Sequence, residues 1–400
     1  MKPFGNLIPF ETAQNIISRH ILPVDRTEYV PIDASLGRVS AEDIVALHNT
    51  PPFDRAGVDG YAVKAADTSG ATVSNPKKLA LRDCLYAGSA PNRTLLASEC
   101  FSICTGAEMP PGADAVVMIE DTRIYGNLVT IFRAQAPQDN IGIKGEDIRK
   151  GELVIEQGKM LDAGKIGVLA SQGLTRVLVY EKPRVAIMPT GEEIVEIGKQ
   201  LKPGQLYDIN SHTLAAVVSG SGGEPVSLPI TGDSLEGIRS SLRAALQADI
   251  VVTSGGSSMG EKDLIINVLE ECGEVLFHGI KIKPGKPTTF AVVSGKPVLG
   301  MPGYPTSCLV NAHLLLGPAV RQMGRLPPRR DLTARATLGE RVTAGSGRQR
   351  FQTVRLDGKT AYPIFKESGA ITGTAKADGY VIIPEDTSFE KGTEVTVFFF

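Results

Sequence analysis

Three short segments of this chain place glycine, hydroxyl and carboxylate residues directly after apolar runs. RVAIM leads into PTGEE (189–193), DIVVT into SGGSSMGEKD (254–263), and VLG into MPGYPTS (301–307). Gly255, Gly256 and Gly303, flanked by Ser254, Ser257 and Pro302, would let backbone N–H groups approach a ligand closely. Thr306 or Ser307 is placed to begin the helix SCLVNAHLLL, turning free N–H donors and a positive dipole end toward an anion. KIKPGKP (281–287) contributes Lys283 and Lys286. Taken alone it reads as a solvated basic turn; beside three anion-friendly loops it reads as a phosphate or oxyanion site.

Carboxylates accompany these loops: Glu192 and Glu193 in PTGEE, Asp208 in YDINS, Asp233 in TGDSLEG and Asp263 in GEKD. Each has a structural use on its own. Asp233 could N-cap the following helix, and Glu192 could favour a helix start. Together they supply what a phosphate-bound Mg²⁺ requires, one or two carboxylates plus ligand oxygens. FDRAGVDGYAV (53–63) stands apart in the chain, and its Asp54, Asp59 and Gly60 are also compatible with a simple turn.

The elements that must position these residues follow from hydrophobic periodicity. Residues 183–326 alternate apolar strands with amphipathic helices, which predicts a mostly parallel, three-layer α/β sheet. In such a sheet the carboxyl ends of the strands share one edge, and ligands bind there. PFETAQNIISRHI near the N-terminus has helical spacing, with Glu11 or Thr12 as a start. Short β runs between about 72 and 144 predict a small β-rich module. Residues 145–178 return to a strand and a helix starting near Asp162. After PPRR (327–330) residues 331–400 read as strands throughout, a terminal β-barrel. The chain is therefore expected to be a multidomain α+β and α/β protein with four parts. These are a discontinuous N-terminal domain (1–46 and 145–178), an inserted β-rich domain (47–144), an α/β domain (179–328) and a C-terminal β-barrel (329–400).

Composition excludes several classes. At 400 residues the chain is too long for one core, and roughly two to four domains are expected. A formal net charge of -2 and the absence of Trp argue against a nucleic-acid surface. No apolar run reaches about 18 residues and no leader pattern opens the chain, so a cytoplasmic protein with no membrane partner is expected. The five cysteines, Cys84, Cys100, Cys104, Cys272 and Cys308, are scattered without a C-x-x-C pair. Neither a disulfide framework nor a zinc site is expected, and any metal falls to carboxylates.

In this order the motifs resemble those of the molybdopterin molybdenumtransferase family, which includes the E domain of gephyrin and of its plant counterpart. PPFDRAGVDGYAV matches the family signature and ICTGAEMPPGADAVVMIED the next motif. KGEDI, MPTGEEI, YDIN, TGDSL, SGGSSMGEKD, KIKPGKP and GMPGYPTS complete the set. The resemblance spans essentially the whole chain. It implies catalytic roles for Asp59, Thr105, Asp147, Glu193, Asp233 and Asp263, with Glu120 in the second motif. It implies oxyanion contacts from Lys283, Lys286 and Ser368, and Mg²⁺ on Glu193, Asp233 and Asp263. The implied substrates are molybdate, or tungstate, and adenylylated molybdopterin, with AMP released. An elongated homodimer with a cleft between protomers is also implied, together with transient contacts to the adenylyltransferase of the preceding step and to molybdoenzymes.

The chain departs from the family pattern in three places. Tyr304 stands for the usual Asn, Ala56-Gly57-Val58 for Ser-Ala-Met, and Thr353 for the usual molybdate arginine. Period-two alternation puts Arg355 on the face of Thr353, so Arg355 is the expected replacement, with Arg350 serving if the strand bulges. Two alternatives are set aside by architecture. A molybdopterin adenylyltransferase is typically a single α/β domain, and a gephyrin-like scaffold would favour an added partner domain.

Overall fold

The computed structural model describes residues 7–255, 264–345, 347–367 and 369–400. The chain forms two compact units, one of Met1–Val30, Gly37–Ala41 and Leu178–Phe400, the other of Pro31–Leu36 and Glu42–Val177.

The first unit contains helix α1 (Phe10–His20) and a six-stranded sheet with its helices. In chain order these are β1 (Arg184–Pro189), α2 (Asn210–Gly220), β2 (Glu224–Ser227), α3 (Leu235–Ala245), β3 (Ile250–Ser254), α4 (Leu264–Cys272), β4 (Gly273–His278), β5 (Thr289–Val293) and β6 (Lys296–Met301). The sheet order is β2-β1-β3-β6-β5-β4. The first four strands are parallel, while β5 runs antiparallel to both β6 and β4. Alternation sorts the side chains of the central strands. Val185, Ile187, Ile250 and Val252 join the core under α1 and α2, whereas Ala186, Met188 and Val251 join the core under α3 and α4. This is the predicted three-layer arrangement.

Local chemistry explains the helices. α1 begins at Phe10 behind Pro9, one residue before the expected Glu11, and buries Phe10, Ala13 and Ile17 at helical spacing. α3 is capped by Ser234, whose Oγ accepts the Gly237 N–H at 3.1 Å, and buries Ile238, Leu242 and Ala245. After β6 come α5 (Pro305–Asn311), a π-helical turn at Ala312–Leu316 and α6 (Gly317–Met323). Pro318 has no N–H to return to the preceding turn, and the wider turn is set just before it.

Five C-terminal strands close on themselves: β7 (Thr333–Leu338), β8 (Gln349–Asp357), β9 (Thr360–Pro363), β10 (Gly379–Ile383) and β11 (Glu394–Phe399). Their order is β8-β9-β7-β11-β10, and β10 pairs back to β8. The barrel interior holds Ala336, Leu338, Val354, Ala361, Val381, Ile383, Val395 and Val397. Closure leaves these strands few open edges. The expectation of strands throughout is corrected at Thr372–Ala375, a single helical turn too short to show periodicity in the sequence.

The second unit holds a six-stranded sheet, ordered Ala115–Met118, Gly60–Val63, Glu99–Ile103, Lys77–Leu85, Leu128–Ile131 and Thr122–Tyr125. It also holds helix Ala163–Ser171, capped by Asp162, whose Oδ1 accepts the Lys165 N–H at 3.0 Å. One face of the sheet packs around Phe101, which is fully buried with Leu95, Ile103 and Val116. Phe101→Ala should therefore destabilise this unit by about 3–5 kcal/mol. Differential scanning calorimetry should show one transition shifted down, and an unchanged thermogram would refute this account of the core.

Candidate functional site

From β1 the chain crosses through α2 to β2 on one side, then through α3 to β3 on the other side of β1. The strand order therefore reverses between β1 and β3, which opens a crevice beyond their carboxyl ends. The loops at that crevice are in contact. The Thr190 N–H and Oγ1 both donate to Ser254 O, at 3.0 and 3.3 Å. Gly191 N–H donates to Thr231 O at 3.2 Å, and Thr231 N–H to Pro189 O at 2.9 Å, which lays the TGDSL loop beside PTGEE. Gly255 has φ +92°, and a Cβ on it would sit 2.4 Å from Thr190 O. Glycine is thus required at the point where the loops after β1 and β3 meet. Pro302 and Gly303 follow β6 into the same edge, and a Cβ on Gly303 would lie 3.6 Å from Gly255 Cα. Asn210 Nδ2 of α2 donates to Gly303 O at 2.8 Å.

The carboxylates divide by what holds them. Asp208 is buried, and its Oδ1 accepts the Ser211 N–H at 3.0 Å, so it ties down the start of α2. Asp233 is exposed and does not cap α3, contrary to its expected structural use, because Ser234 takes that position. Glu193 is exposed, and its carboxylate folds back over Gly191. No helix starts after Glu192; instead Ile194–Val195 pairs in parallel with Leu206–Tyr207. Among the described residues neither Glu193 nor Asp233 has an ion-pair partner. Gly256, Ser257 and Asp263 lie outside the described residues. Among those described, no group of three or more His, Cys, Asp or Glu side chains could hold a metal by itself.

The KIKPGKP turn is built into the barrel. Ile282–Lys283 adds in parallel to β8, with Ile282 opposite Gln349 and Lys283 opposite Arg350. Burial and the nearby Arg350 and Arg348 guanidinium groups hold the Lys283 ammonium below its ordinary pKa of 10.5. Arg350 is half-buried; burial lowers its pKa, and its Nη1 donates to Thr343 O at 2.8 Å. Its guanidinium lies 5.9 Å from the centre of the Phe365 ring. No described carboxylate pairs with Lys283, Arg348 or Arg350.

Arg355, the expected partner of this turn, lies five residues further along β8, exposed and opposite Tyr362. The β8 register with β10 runs unbroken from Arg350 to Val354, so no bulge is needed to bring Arg350 to Lys283. Arg348 was not singled out by the sequence, where RQR in a loop carries no signal for the strand addition that recruits it. Helix α5 begins at Pro305, not at Thr306 or Ser307; both of these are buried in its first turn. Thr306 Oγ1 donates to Ala370 O at 3.1 Å. Tyr304 N-caps α5 beside Gly369, and Ser368 lies outside the described residues.

In the second unit Asp59 forms no local turn. Its Oδ1 accepts the Thr105 N–H at 2.7 Å and the Thr105 hydroxyl at 2.8 Å. These two hydrogen bonds, the backbone one first, hold the carboxyl below its ordinary value of 3.8. Ile119 N–H donates to Asp59 O at 3.1 Å, which brings the turn carrying Glu120 alongside. Asp54 Oδ1 instead accepts the Lys144 N–H at 2.8 Å. Asp147 is exposed on a segment fixed by its own N–H to Thr50 O, at 3.1 Å.

Comparison with known proteins now bears on this geometry. Residues 8–173 match the MoeA N-terminal region (domain I and II), 186–322 a probable molybdopterin binding domain, and 335–400 the MoeA C-terminal region (domain IV). A molybdopterin molybdenumtransferase from Staphylococcus epidermidis is 32% identical over 97% of this chain and 94% of its own length. The chain belongs to the molybdopterin molybdenumtransferase family. A putative molybdopterin biosynthesis protein from Methanocaldococcus jannaschii is 31% identical over 100% of this chain and 99% of its own. Two molybdopterin biosynthesis MoeA proteins from Pyrococcus horikoshii, of known structure, superpose with TM-scores of 0.85 and 0.83. They are 41% and 32% identical, over 98% and 99% of this chain and 99% and 100% of their own. Molybdenumtransferase relatives are thus matched end to end, which disfavours a lone adenylyltransferase domain.

The Asp59–Thr105 pair yields a direct test. Thr105→Val removes the hydroxyl donor and leaves the N–H, so the Asp59 pKa should rise toward 3.8 while staying below it. The stabilisation from the depressed pKa is present above the unfolded-state value and is lost as pH falls through the folded one. Carboxyl-carbon NMR titration of the variant should show the rise; an unmoved Asp59 titration would refute the assigned hydrogen bond.

Proposed function

We propose that this chain acts as a molybdopterin molybdenumtransferase, placing molybdenum from molybdate into the dithiolene of adenylylated molybdopterin and releasing AMP. The observation that supports this most is the trio of exposed Lys283 and half-buried Arg348 and Arg350, cations with which no described carboxylate pairs. Mutually repelling cations at one strand pairing are stabilised by a dianion, and molybdate is a tetrahedral dianion. Lys286 shares the turn, and Ser368 completes the same oxyanion set. Arg350, with Arg348, takes over the part expected of Arg355.

The switch-point crevice receives the polyanionic nucleotide-pterin, with the backbone N–H groups of Ser254, Gly255 and Gly303 meeting its phosphates beside Pro302; Gly256 and Ser257, outside the described residues, keep the same expected role. α5 runs from beside Gly303 to Asn311, on the order of 10 Å at 1.5 Å per residue, so a ligand serving both ends is extended. Glu193 and Asp233 are exposed on abutting loops, which suits a phosphate-bound ion better than a protein cage. With Asp263 they would hold Mg²⁺, which supplies charge neutralisation at the pyrophosphate as its P–O bond breaks. The dithiolene sulfurs capture the metal, so no cysteine pair is required of the protein. Either molybdate or tungstate fits this charge and shape.

Asp59 and Thr105 act from a second copy of the chain in a cytoplasmic homodimer, which has transient contacts with the adenylyltransferase and with molybdoenzymes, and Asp147 keeps its expected catalytic role. Among the described residues no helix is long and apolar enough to cross a membrane.

Mixed with adenylylated molybdopterin, molybdate and Mg²⁺, the protein should release AMP in step with formation of the molybdenum–pterin product. AMP release that ignores molybdate would overturn the reading. Arg350→Ala should raise the molybdate KM roughly 10- to 100-fold, as loss of a charged hydrogen bond does, whereas Arg355→Ala should change it less than about twofold. Equal effects of the two substitutions would sink the assignment of Arg350. For the dimer, Asp59→Asn and Lys286→Ala proteins, each impaired alone at low molybdate, should regain activity when co-assembled, because one mixed site is then intact. Verified heterodimers no more active than the impaired parents would contradict the shared site.

A further inference from the structure

Asn311 is the last residue of α5 and is completely buried. Its Nδ2 donates to Gly285 O at 3.1 Å and to Thr288 Oγ1 at 2.5 Å. Thr288 Oγ1 in turn donates to Gly285 O at 2.8 Å. The amide lies flat against Gly285, where a Cβ would fall 2.3 Å from Nδ2 and 2.4 Å from Oδ1; Gly285 has φ +103°. Only a glycine admits the amide here. Just beyond, Lys286 O accepts N–H groups from Ile280 and Thr288, both at 3.0 Å. The two lysines of the turn are thus held from two sides. Lys283 is fixed by its pairing with β8, and Lys286 by backbone N–H groups of Ile280 and Thr288, with the side-chain network holding its neighbours Gly285 and Thr288.

A buried asparagine is costly unless its donors are used, and the Asn311 Oδ1 acceptor has no partner among the described residues. Core packing alone would be better served by an apolar residue of similar volume. We infer that Asn311 is a positioning residue for the oxyanion, acting through Gly285 and Thr288 to hold the Lys283–Lys286 turn in its ligand-binding shape. The inference rests on the proposed oxyanion role of that turn.

The test compares Asn311→Leu, Thr288→Val and Lys286→Ala proteins by steady-state kinetics with molybdate as the varied substrate, and by direct binding of adenylylated molybdopterin. Asn311→Leu keeps the number and branching of side-chain heavy atoms while removing both donors. It should raise the molybdate KM about five- to tenfold, with kcat and pterin affinity changed less than about twofold. Thr288→Val, which removes the middle of the network, should give the same split and decides the matter if Asn311→Leu fails to fold. A molybdate KM unchanged in both, while Lys286→Ala raises it, overturns the role of Asn311 alone. An unchanged KM in all three overturns the oxyanion reading of the turn, and the inference with it. Pterin affinity falling in parallel with molybdate affinity would show general damage to the fold and would equally overturn the positioning role.

Discussion

Positive charge held without a counter-ion among the described residues is the constraint around which the first unit is arranged. Lys283, Arg348 and Arg350 repel one another, and burial of Lys283 and Arg350 disfavours their charged forms further. Left to itself such a turn would swing into water. It is prevented from doing so by backbone pairing: two residues of the turn add a strand to a barrel that is already closed, so moving the lysine means breaking ladder hydrogen bonds. The barrel's aliphatic interior makes that strand rigid, and Phe365 offers a ring face near the Arg350 guanidinium. The unfavourable electrostatics are local to one turn, while the compensating packing is spread over five strands.

The crevice beyond β1 and β3 obeys a different constraint, backbone crowding. Thr190 donates two hydrogen bonds to the Ser254 carbonyl across the two strand ends, and Gly255 passes close to the Thr190 carbonyl. The loops therefore reach solvent already fixed relative to each other, with little side-chain bulk between their backbones. α5 connects the two parts. Its first turn abuts the crevice through Gly303 and Tyr304, and its last residue holds Gly285. A single helix with a buried polar residue at its far end thus links the crevice loops to the KIKPGKP turn.

Much of this was legible before any coordinates. Strand–helix alternation over 183–326 specified the layers, because apolar runs of strand length cannot all be buried in any other way, and the loops after RVAIM, DIVVT and VLG had to share an edge once the sheet was parallel. Which arginine lies opposite Lys283 was not legible. Choosing Arg355 relied on alternation within one strand, which is local information. The residue that meets Lys283 is decided by which strand the KIKP segment joins, and in what register; no periodicity within RQRFQTVRL records that. Asn311 was invisible for a related reason. It reads as one polar residue in an apolar helix, and its meaning comes from a glycine 26 positions away.

The acidic residues show how such ambiguity resolves physically. Asp208, Asp233 and Asp54 are alike in the sequence, each a short carboxylate in a turn. In the folded chain the Asp208 and Asp54 oxygens are occupied by backbone N–H groups, which makes them fasteners of local structure. Asp233 is relieved of that duty because Ser234, one residue later, caps α3 instead. A serine adjacent to an aspartate at a helix start thus leaves the stronger anion uncommitted, facing solvent beside a second uncommitted carboxylate, Glu193. Asp59 lies between these cases. It is fastened, but by the backbone and hydroxyl of Thr105, 46 residues away, and this fastening keeps it ionised and exposed rather than buried. What distinguishes an acid available for chemistry from one spent on folding is whether the neighbouring backbone already uses its lone pairs, and that depends on the single residue beside it as much as on the fold around it.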